Sequence, residues 1–231
     1  MIEFEQEDGV GRLTIKRAEM GNAFTSEMLT QTAKIFEEEG LNCDILVIGA
    51  EGEDFSLGHD RSEPKHSGGP RAAFGEIARL NAGFAAFPGI VITEIKGRAF
   101  GFGLGLIMRS DIALCTNDAR FMLDEVSLGF PPMFLMEVIL DHIPPKRALD
   151  LILSSREFGA SEALEFGLVS RLVELDELKE ETVEYVKLLH QRDPKVLVEC
   201  KRYLGQIRLK AINARPLYAL EEQTRFALEN H

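Results

Sequence analysis

The sequence is poor in the residue types that mark several large classes of protein. Its 231 residues include no tryptophan and only three tyrosines, and its formal net charge is −12. Nucleic-acid-binding proteins present a basic surface and often stack bases on aromatic rings, so this composition argues against nucleic acid as a partner. No apolar run reaches the length of a bilayer span, so we expect no membrane partner either.

Cysteine and metal-ligand patterns are scarce as well. The three cysteines, Cys43, Cys115 and Cys200, lie far apart and form no CxxC pair. An odd, dispersed set is typical of reduced thiols in a cytosolic protein. The first ten residues lack the basic and apolar regions of a secretory signal, so we expect a cytoplasmic location. The five histidines show no metal-ligand spacing, and we expect no metal.

The order of predicted elements indicates an α/β protein. Short alternating runs at 2–4 and 10–15 predict a β-hairpin. The rest of the front half predicts helices at 26–39, 71–87 and 101–109 and strands at 44–49, 90–94 and 111–115. After Pro132 the pattern becomes almost continuously helical, with predicted helices at 133–142, 145–153, 160–166, 175–190, 194–210 and 212–229 and one strand at 168–173. This order favours one main domain followed by a helical appendage.

Two glycine turns follow buried strands of the front half. One is GFGLG at 101–105, and the other is FSLGHD at 55–60. The first is not a dinucleotide fingerprint, because Leu106 takes the place of the third glycine, and no Gly-Lys-Ser/Thr ending makes it a phosphate loop. A turn that enters a helix points backbone N–H groups outward, where they meet developing negative charge. The pair therefore predicts two sets of amides that converge on one carbonyl oxygen, although each turn alone is also typical of a tight strand-to-helix connection.

The candidate proton carrier is a carboxylate in an apolar stretch. Asp124 and Glu125 are surrounded in sequence by Met122, Leu123 and Val126, with phenylalanines a little further along. Apolar surroundings raise the pKa of a carboxyl group toward neutrality, as a proton-transferring base requires. We expect the neighbouring Asp124 to point the opposite way, as in an extended segment. Local sequence alone leaves a solvated turn carboxylate as an open alternative.

Five ordered segments resemble motifs of the enoyl-CoA hydratase/isomerase (crotonase) superfamily. They are KRAEMGNAFTSEML, FSLGHD, GRAFGFGLGLIMRSDIAL, RFMLDEVSLGFPP and SSREFGASEALEFGLVSRLV. Together they span about residues 1–173, and the residues around Glu125 are most similar to Δ3,Δ2-enoyl-CoA isomerases. The resemblance implies a crotonase-like spiral of ββα units at 1–190 and a C-terminal helical trimerisation region at 191–231. It also implies a homotrimer or a dimer of trimers.

The same resemblance implies which residues form the site. The oxyanion hole falls on the backbone amides of His59 and Phe102, and the catalytic base falls on Glu125. The first of the two glutamates of the hydratases aligns with Gly105 and is missing. The implied substrate-binding residues are Arg17, Ser56, Leu57, Gly58, Asp60, Arg61, Gly101, Gly103 and Phe130. Arg17 and Arg61 are candidates to approach the phosphates of coenzyme A, and ordinary surface arginines are the equal alternative.

Because one candidate base is present, the sequence predicts a reaction in which one group both removes and returns the proton. Hydration uses one group to activate water and another to position it or to deliver the α-proton, whereas isomerisation of a 3-enoyl thioester needs only one base. The sequence thus predicts an acyl-CoA isomerase of fatty acid metabolism, with coenzyme A as part of the substrate and no other cofactor. One alternative is a hydratase, or another enolate-forming enzyme, with Glu137 in the role of the missing acid. Another is a thioester-binding paralogue with little activity.

Overall fold

The main sheet contains six strands and follows the predicted alternation. A computed structural model describes residues 1–64, 66–210, 218 and 220–225. The sheet consists of β1 (Ile2–Glu7), β2 (Val10–Ile15), β3 (Ile45–Ala50), β4 (Ile90–Ile95), β6 (Ile112–Thr116) and β9 (Arg171–Val173), in that spatial order. The predicted hairpin is confirmed, because β1 and β2 pair antiparallel through the turn at 8–9, and every other neighbouring pair is parallel.

A second, three-stranded sheet was not predicted. It contains β5 (Arg98–Phe100), β7 (Arg120–Met122) and β8 (Phe158–Gly159). These strands have two or three residues each, which is too short for an alternating pattern to stand out from the flanking turns. β5 and β7 pair parallel, and β8 runs antiparallel to β7. The sheet matters for the site because β5 and β7 lead directly into its turns.

The helices match their predicted positions closely. They are α1 (Ser26–Lys34), α2 (Gly69–Ala86), α3 (Phe102–Arg109), α4 (Met133–Ile139), α5 (Pro145–Ser154), α6 (Ala160–Phe166), α7 (Leu178–His190) and α8 (Pro194–Ile207). A π-helical turn at Ile35–Glu39 continues α1 to its predicted end. None of the helices in the described part of the chain combines the length and apolar character needed to cross a bilayer.

The predicted strand at 168–173 is correct only over its second half. The amides of Leu168 and Val169 donate to the Ala163 carbonyl, so this part of the chain closes the end of α6. Gly167, in the left-handed region with φ 80°, makes that closure possible. Strand pairing therefore begins only at Arg171.

The central strands of the main sheet, β3, β4 and β6, are buried on both faces. Successive residues of β3 alternate between two apolar clusters: Leu46 and Ile48 face the larger cluster, and Ile45 and Val47 face the smaller one. Leu178 at the start of α7 belongs to the smaller cluster. Burial on both faces explains why this strand reads as a continuous apolar run rather than an alternating one.

The chain divides into two compact units, Met1–Gln191 and Arg192–His231. In the second unit Asp193 caps α8 by accepting from the Lys195 amide at 2.9 Å. An ion-pair network links Arg202 to Glu199 and Glu222. The predicted helix at 212–229 is described only at 218 and 220–225, which are helical, and otherwise lies outside the described residues.

Asn22 ties the first loop to the segment that leads into the site. It is fully buried and adopts a left-handed backbone with φ 55°. Its Oδ1 accepts from the Arg17 amide at 2.8 Å, and its Nδ2 donates to the carbonyls of Glu51 and Asp54, each at 2.8 Å. One side chain thus satisfies three backbone groups, through one buried and two part-buried hydrogen bonds.

Replacing Asn22 with alanine is expected to lower the free energy of unfolding by about 3 kcal/mol or more. Each buried group left without a partner costs about 1–3 kcal/mol, in addition to the left-handed backbone penalty. Asp8→Ala is the matched control, because Asp8 has φ 48° but lies in the exposed hairpin turn. Urea denaturation measures both, and equal losses would contradict the role assigned to the Asn22 amide.

Candidate active site

Three parallel stretches of chain end at the same place. Ser56 bridges to Ala99 in parallel, and Phe100 of β5 pairs in parallel with Met122 of β7. The residues that follow, at 58–59, 101–102 and 124–125, therefore emerge together at the carboxyl ends of these segments. The structure thus brings together the two glycine turns and the carboxylate pair that the sequence had placed far apart.

The first turn presents the His59 amide. Phe24 donates its amide to the Gly58 carbonyl and accepts from the Asp60 amide, each at 2.8 Å. The His59 N–H between them has no protein acceptor among the described residues. Gly58 has φ 97°, and a methyl group placed on it would lie 3.5 Å from the Phe102 nitrogen. The first turn therefore packs directly on the second.

The second turn presents the Phe102 amide. Gly101 has φ 46° and donates its amide to the Met122 carbonyl at 2.9 Å. Phe102 is the first residue of α3, and its N–H is likewise without a protein acceptor in the part of the chain that the structure describes. The Phe102 ring packs edge-on against Phe24, with 5.0 Å between ring centroids. Two unpaired amides thus lie on adjoining turns, as an oxyanion hole requires.

Gly103 allows this close approach. A methyl group on Gly103 would lie 2.5 Å from the Ser56 carbonyl oxygen and 2.8 Å from its Cβ. Any side chain at position 103 would push the two turns apart. Ser56 itself is fully buried, and its hydroxyl donates to the Asn22 carbonyl and accepts from the Gly58 amide. The contacts of the Ser56 side chain therefore shape the first turn from inside.

Glu125 lies beside the second turn. A methyl group on Gly101 would be 3.0 Å from its Oε1, while its Oε2 is buried and has no hydrogen-bond partner among the residues described. Glu125 is 8% exposed, so the alternative of a solvated turn carboxylate is wrong. Burial raises the pKa of Glu125 to about 7, with the Asp124 charge also raising it and Arg61 lowering it. A carboxyl group of this pKa both accepts and returns a proton near neutral pH.

Asp124 does not point away from Glu125 as predicted. Its Oδ1 would lie 2.8 Å from the same methyl group on Gly101. Glu125 has helical backbone angles (φ −60°, ψ −40°) and begins the 3-10 turn Val126–Leu128, so the alternation of an extended segment does not apply. The two carboxylates therefore approach Gly101 together.

Both candidate phosphate-binding arginines are paired with carboxylates. Arg17 donates to Asp60 Oδ2 at 2.6 Å and to the Ala23 carbonyl at 2.8 Å. Hydrogen bonds from Ser62 and then Arg17 lower the pKa of Asp60 to about 2. Arg61 forms an ion pair with Asp124. Local sequence carries no sign of the Arg61–Asp124 pair, because its members lie 63 residues apart.

Leu57 and Phe130 occupy opposite environments. The Leu57 side chain lies against Gly21, where no other side chain fits. Phe130 is 46% exposed, and its amide donates to the Glu125 carbonyl at 3.2 Å. Leu57 therefore supports the first turn from within, whereas Phe130 offers an apolar surface next to the base.

The position of the missing glutamate is filled by a neighbouring helix. A methyl group on Gly105 would lie 2.7 Å from Leu135 Cδ2 of α4. Arg109 joins the two helices by donating to the carbonyls of Gly105 at 3.1 Å and Phe134 at 2.8 Å. Glu137 pairs with Arg109 while its side chain remains 62% exposed. Sequence reasoning missed Arg109, although its place one helical turn after Gly105 was visible.

A metal site would require a cluster of ligand side chains. In the described part of the chain, no three His, Cys, Asp or Glu side chains are grouped as metal ligands would be. The chemistry that these residues support is oxyanion stabilisation by two amides and proton transfer by one carboxyl group.

Comparison with known proteins agrees with this geometry. A family model described as Enoyl-CoA hydratase/isomerase matches residues 5–216. The chain belongs to the enoyl-CoA hydratase/isomerase family. Among curated relatives of this family, the hydroxycinnamoyl-CoA hydratase-lyase of Pseudomonas fluorescens is 28% identical over 210 residues, which cover 87% of this chain and 76% of that protein.

Solved structures show that this member of the family has a crotonase-like α/β fold. A Legionella pneumophila protein described as an enoyl-CoA hydratase/isomerase (crotonase) candidate superposes with a TM-score of 0.90 at 26% identity, covering 97% of this chain and 90% of that one. A candidate enoyl-CoA hydratase from Thermobifida fusca, in complex with acetoacetyl-CoA, superposes with a TM-score of 0.89 at 25% identity, covering 99% and 95%.

Glu125→Gln is expected to stabilise the protein in a pH-dependent way. The folded pKa of about 7 lies above the ordinary value of 4.5, so the folded protein keeps a proton that the unfolded chain loses in this window. Wild-type stability therefore falls as the pH rises from 4.5 to about 7. At about 1.4 kcal/mol per pKa unit, the variant should exceed the wild type by about 3 kcal/mol at pH 8 and by little at pH 4.5.

Denaturant unfolding at the two pH values measures this difference, with Glu137→Gln as the control at an exposed carboxylate. A Glu125→Gln effect of the same size at both pH values would contradict a raised pKa for Glu125.

Proposed function

We propose that this enzyme is a Δ3,Δ2-enoyl-CoA isomerase, which moves the double bond of a 3-enoyl thioester to the 2 position. The observation that carries the proposal is the buried carboxyl group of Glu125, whose Oε2 has no hydrogen-bond partner among the described residues, beside two unpaired amides. Among the described residues, the side chain of Leu135 rather than a carboxylate lies against Gly105, where the missing glutamate would stand.

The reaction begins at the thioester carbonyl. Its oxygen accepts hydrogen bonds from the amides of His59 and Phe102, which stabilise the negative charge that develops there. The Glu125 carboxylate removes a proton from C2, and the electrons of that C–H bond pass into a dienolate that spans the carbonyl and the old double bond. The same carboxyl group then returns its proton at C4. The double bond ends between C2 and C3, and no atom is gained or lost.

A single group suits both halves of this cycle only if its pKa lies near the working pH. A carboxyl group with the ordinary pKa of 4.5 is a weak base toward carbon, and its proton is seldom available for return at pH 7. Burial raises the pKa of Glu125 to about 7, between these limits. The desolvation that destabilises its charged form is therefore useful to the reaction.

The second candidate is hydration of a 2-enoyl-CoA. It is favoured by the name of the Pseudomonas fluorescens relative, a hydratase-lyase. Hydration by the two-glutamate route would require a second acid at the site. Glu137 is the candidate that the sequence offered, and its exposed side chain and its pairing with Arg109 argue against that role.

We also propose an acyl-CoA thioester as the substrate. The acetoacetyl-CoA complex of the Thermobifida fusca protein supports this choice of ligand class. A role in fatty acid metabolism, a cytoplasmic location and assembly as a homotrimer or a dimer of trimers remain predictions. The same holds for the division into a spiral core at 1–190 and a trimerisation region at 191–231.

Purified enzyme is expected to convert a 3-enoyl-CoA to the 2-enoyl-CoA without hydrating a 2-enoyl-CoA. Glu125→Gln should lower kcat by about 10²–10⁴-fold, since it removes the only proton carrier. Chromatography of the acyl-CoA products measures both activities. Glu137→Gln separates the candidates, because it should leave an isomerase unaffected and impair a hydratase that uses Glu137 as its acid.

Three results would contradict the proposal. Hydration of the 2-enoyl-CoA as the main activity would favour the second candidate. Thioester binding without turnover of any substrate would indicate a paralogue with little activity. Full isomerase activity in Glu125→Gln would show that the base is a different residue.

A further inference from the structure

The Arg61–Asp124 ion pair lies next to the proposed base. Arg61 comes two residues after His59, and its Nη2 contacts Asp124 Oδ2. The other oxygen of Asp124 approaches Gly101, as does Glu125 Oε1. One oxygen of Asp124 thus pairs with the Arg61 guanidinium, and its second oxygen lies close to the neighbouring carboxyl group.

Two charged groups in the described residues act on Glu125. Asp124, on the same segment, raises its pKa, and Arg61, on the first turn, lowers it. Arg61 is the nearby cation, and its side chain is 49% exposed. Glu125 Oε2 is nevertheless left without a hydrogen bond. Arg61 therefore pairs with Asp124, although the buried carboxyl group of Glu125 is adjacent.

We propose that Asp124 is a positioning residue that holds the Arg61 guanidinium and so leaves the Glu125 carboxyl group unpaired and free to exchange its proton. The inference rests on the proposed function, in which Glu125 carries that proton. Asp124 itself takes no proton from the substrate in this scheme, and its Oδ2 is engaged by Arg61.

The physical reason is competition between two carboxylates for one cation. The charge of Arg61 already acts on Glu125, so an arginine released from Asp124 has this carboxyl group as an alternative partner, and charge-assisted hydrogen bonds to arginine strongly favour the charged carboxylate. A Glu125 paired in this way would be a weaker base and would return its proton poorly. Asp124 therefore both supplies a like charge and removes an opposite one, and the two effects act in the same direction.

The test is to titrate Glu125 in the free enzyme by NMR, with ¹³C-labelled glutamate side chains. The Glu125 resonance is assigned as the one missing from Glu125→Gln. Asp124→Asn should shift the titration midpoint down by about one pH unit or more, because the asparagine keeps the shape but not the charge. Arg61→Gln should shift the midpoint up, since Asp124 then lies unneutralised beside Glu125. The double variant should fall between the two single variants.

Arg79→Gln is the matched control, because it breaks the ion pair with Glu37 on the surface. It should leave the Glu125 midpoint unchanged. An unchanged or raised midpoint in Asp124→Asn would overturn the proposal, as would a lowered midpoint in Arg61→Gln. If Asp124→Asn does not fold, the midpoint of Arg61→Gln decides between these outcomes, because this variant breaks the same ion pair at its more exposed residue.

Enzyme kinetics separate this inference from the proposed function. If Glu125 is the base, the acidic limb of the kcat/KM profile for a 3-enoyl-CoA should move with the NMR midpoint in each variant. In Asp124→Asn, kcat at pH 8 should fall by about 3–10-fold, as expected for a weaker base. NMR shifts of the expected sign without isomerase activity would refute the reaction alone, since the titration needs no substrate.

Discussion

The site depends on the close contact of two glycine turns. Gly58 lies against the Phe102 nitrogen and Gly103 lies against Ser56, at distances that exclude any other side chain at 103. This contact holds two amides on adjoining turns, and neither donates to an acceptor in the described part of the protein. Backbone donors of this kind are fixed by the packing of the chain rather than by rotamers, so they need no reorganisation when charge develops. The parallel pairing of β5 and β7 then delivers Glu125 to the same point.

Much of this arrangement was visible in the sequence. The two turns and the order of strands and helices were predicted because each depends on local chemistry, such as glycine at tight turns and apolar runs in buried strands. The choice of Glu125 as the base came from the resemblance to the family and stays a prediction. The second sheet was missed, since strands of two or three residues leave no periodicity. The predicted direction of the Asp124 side chain is wrong because the backbone at Glu125 is helical rather than extended. Contacts between distant segments, such as Arg61 with Asp124 and Leu135 with Gly105, have no counterpart in local sequence.

The surroundings of the carboxyl pair divide into two kinds of environment. Asp124, Asp60 and Asp54 each form an ion pair with an arginine, which compensates for their burial. Glu125 is buried to a similar degree without such a partner. An unpaired buried carboxyl group destabilises the charged form and therefore the folded protein above neutral pH. Residues that reduce stability in this way, while their neighbours are fully paired, are typical of functional sites.

The packing of Leu135 against Gly105 has a consequence for how this enzyme relates to its family. A glutamate introduced at 105 would meet Leu135 Cδ2, and Arg109 ties the two helices together there through two carbonyl oxygens. A second acid at this position therefore requires the Leu135 side chain to move as well as the substitution itself. Restoring a two-carboxylate site would thus take coordinated changes at 105 and 135 rather than one replacement.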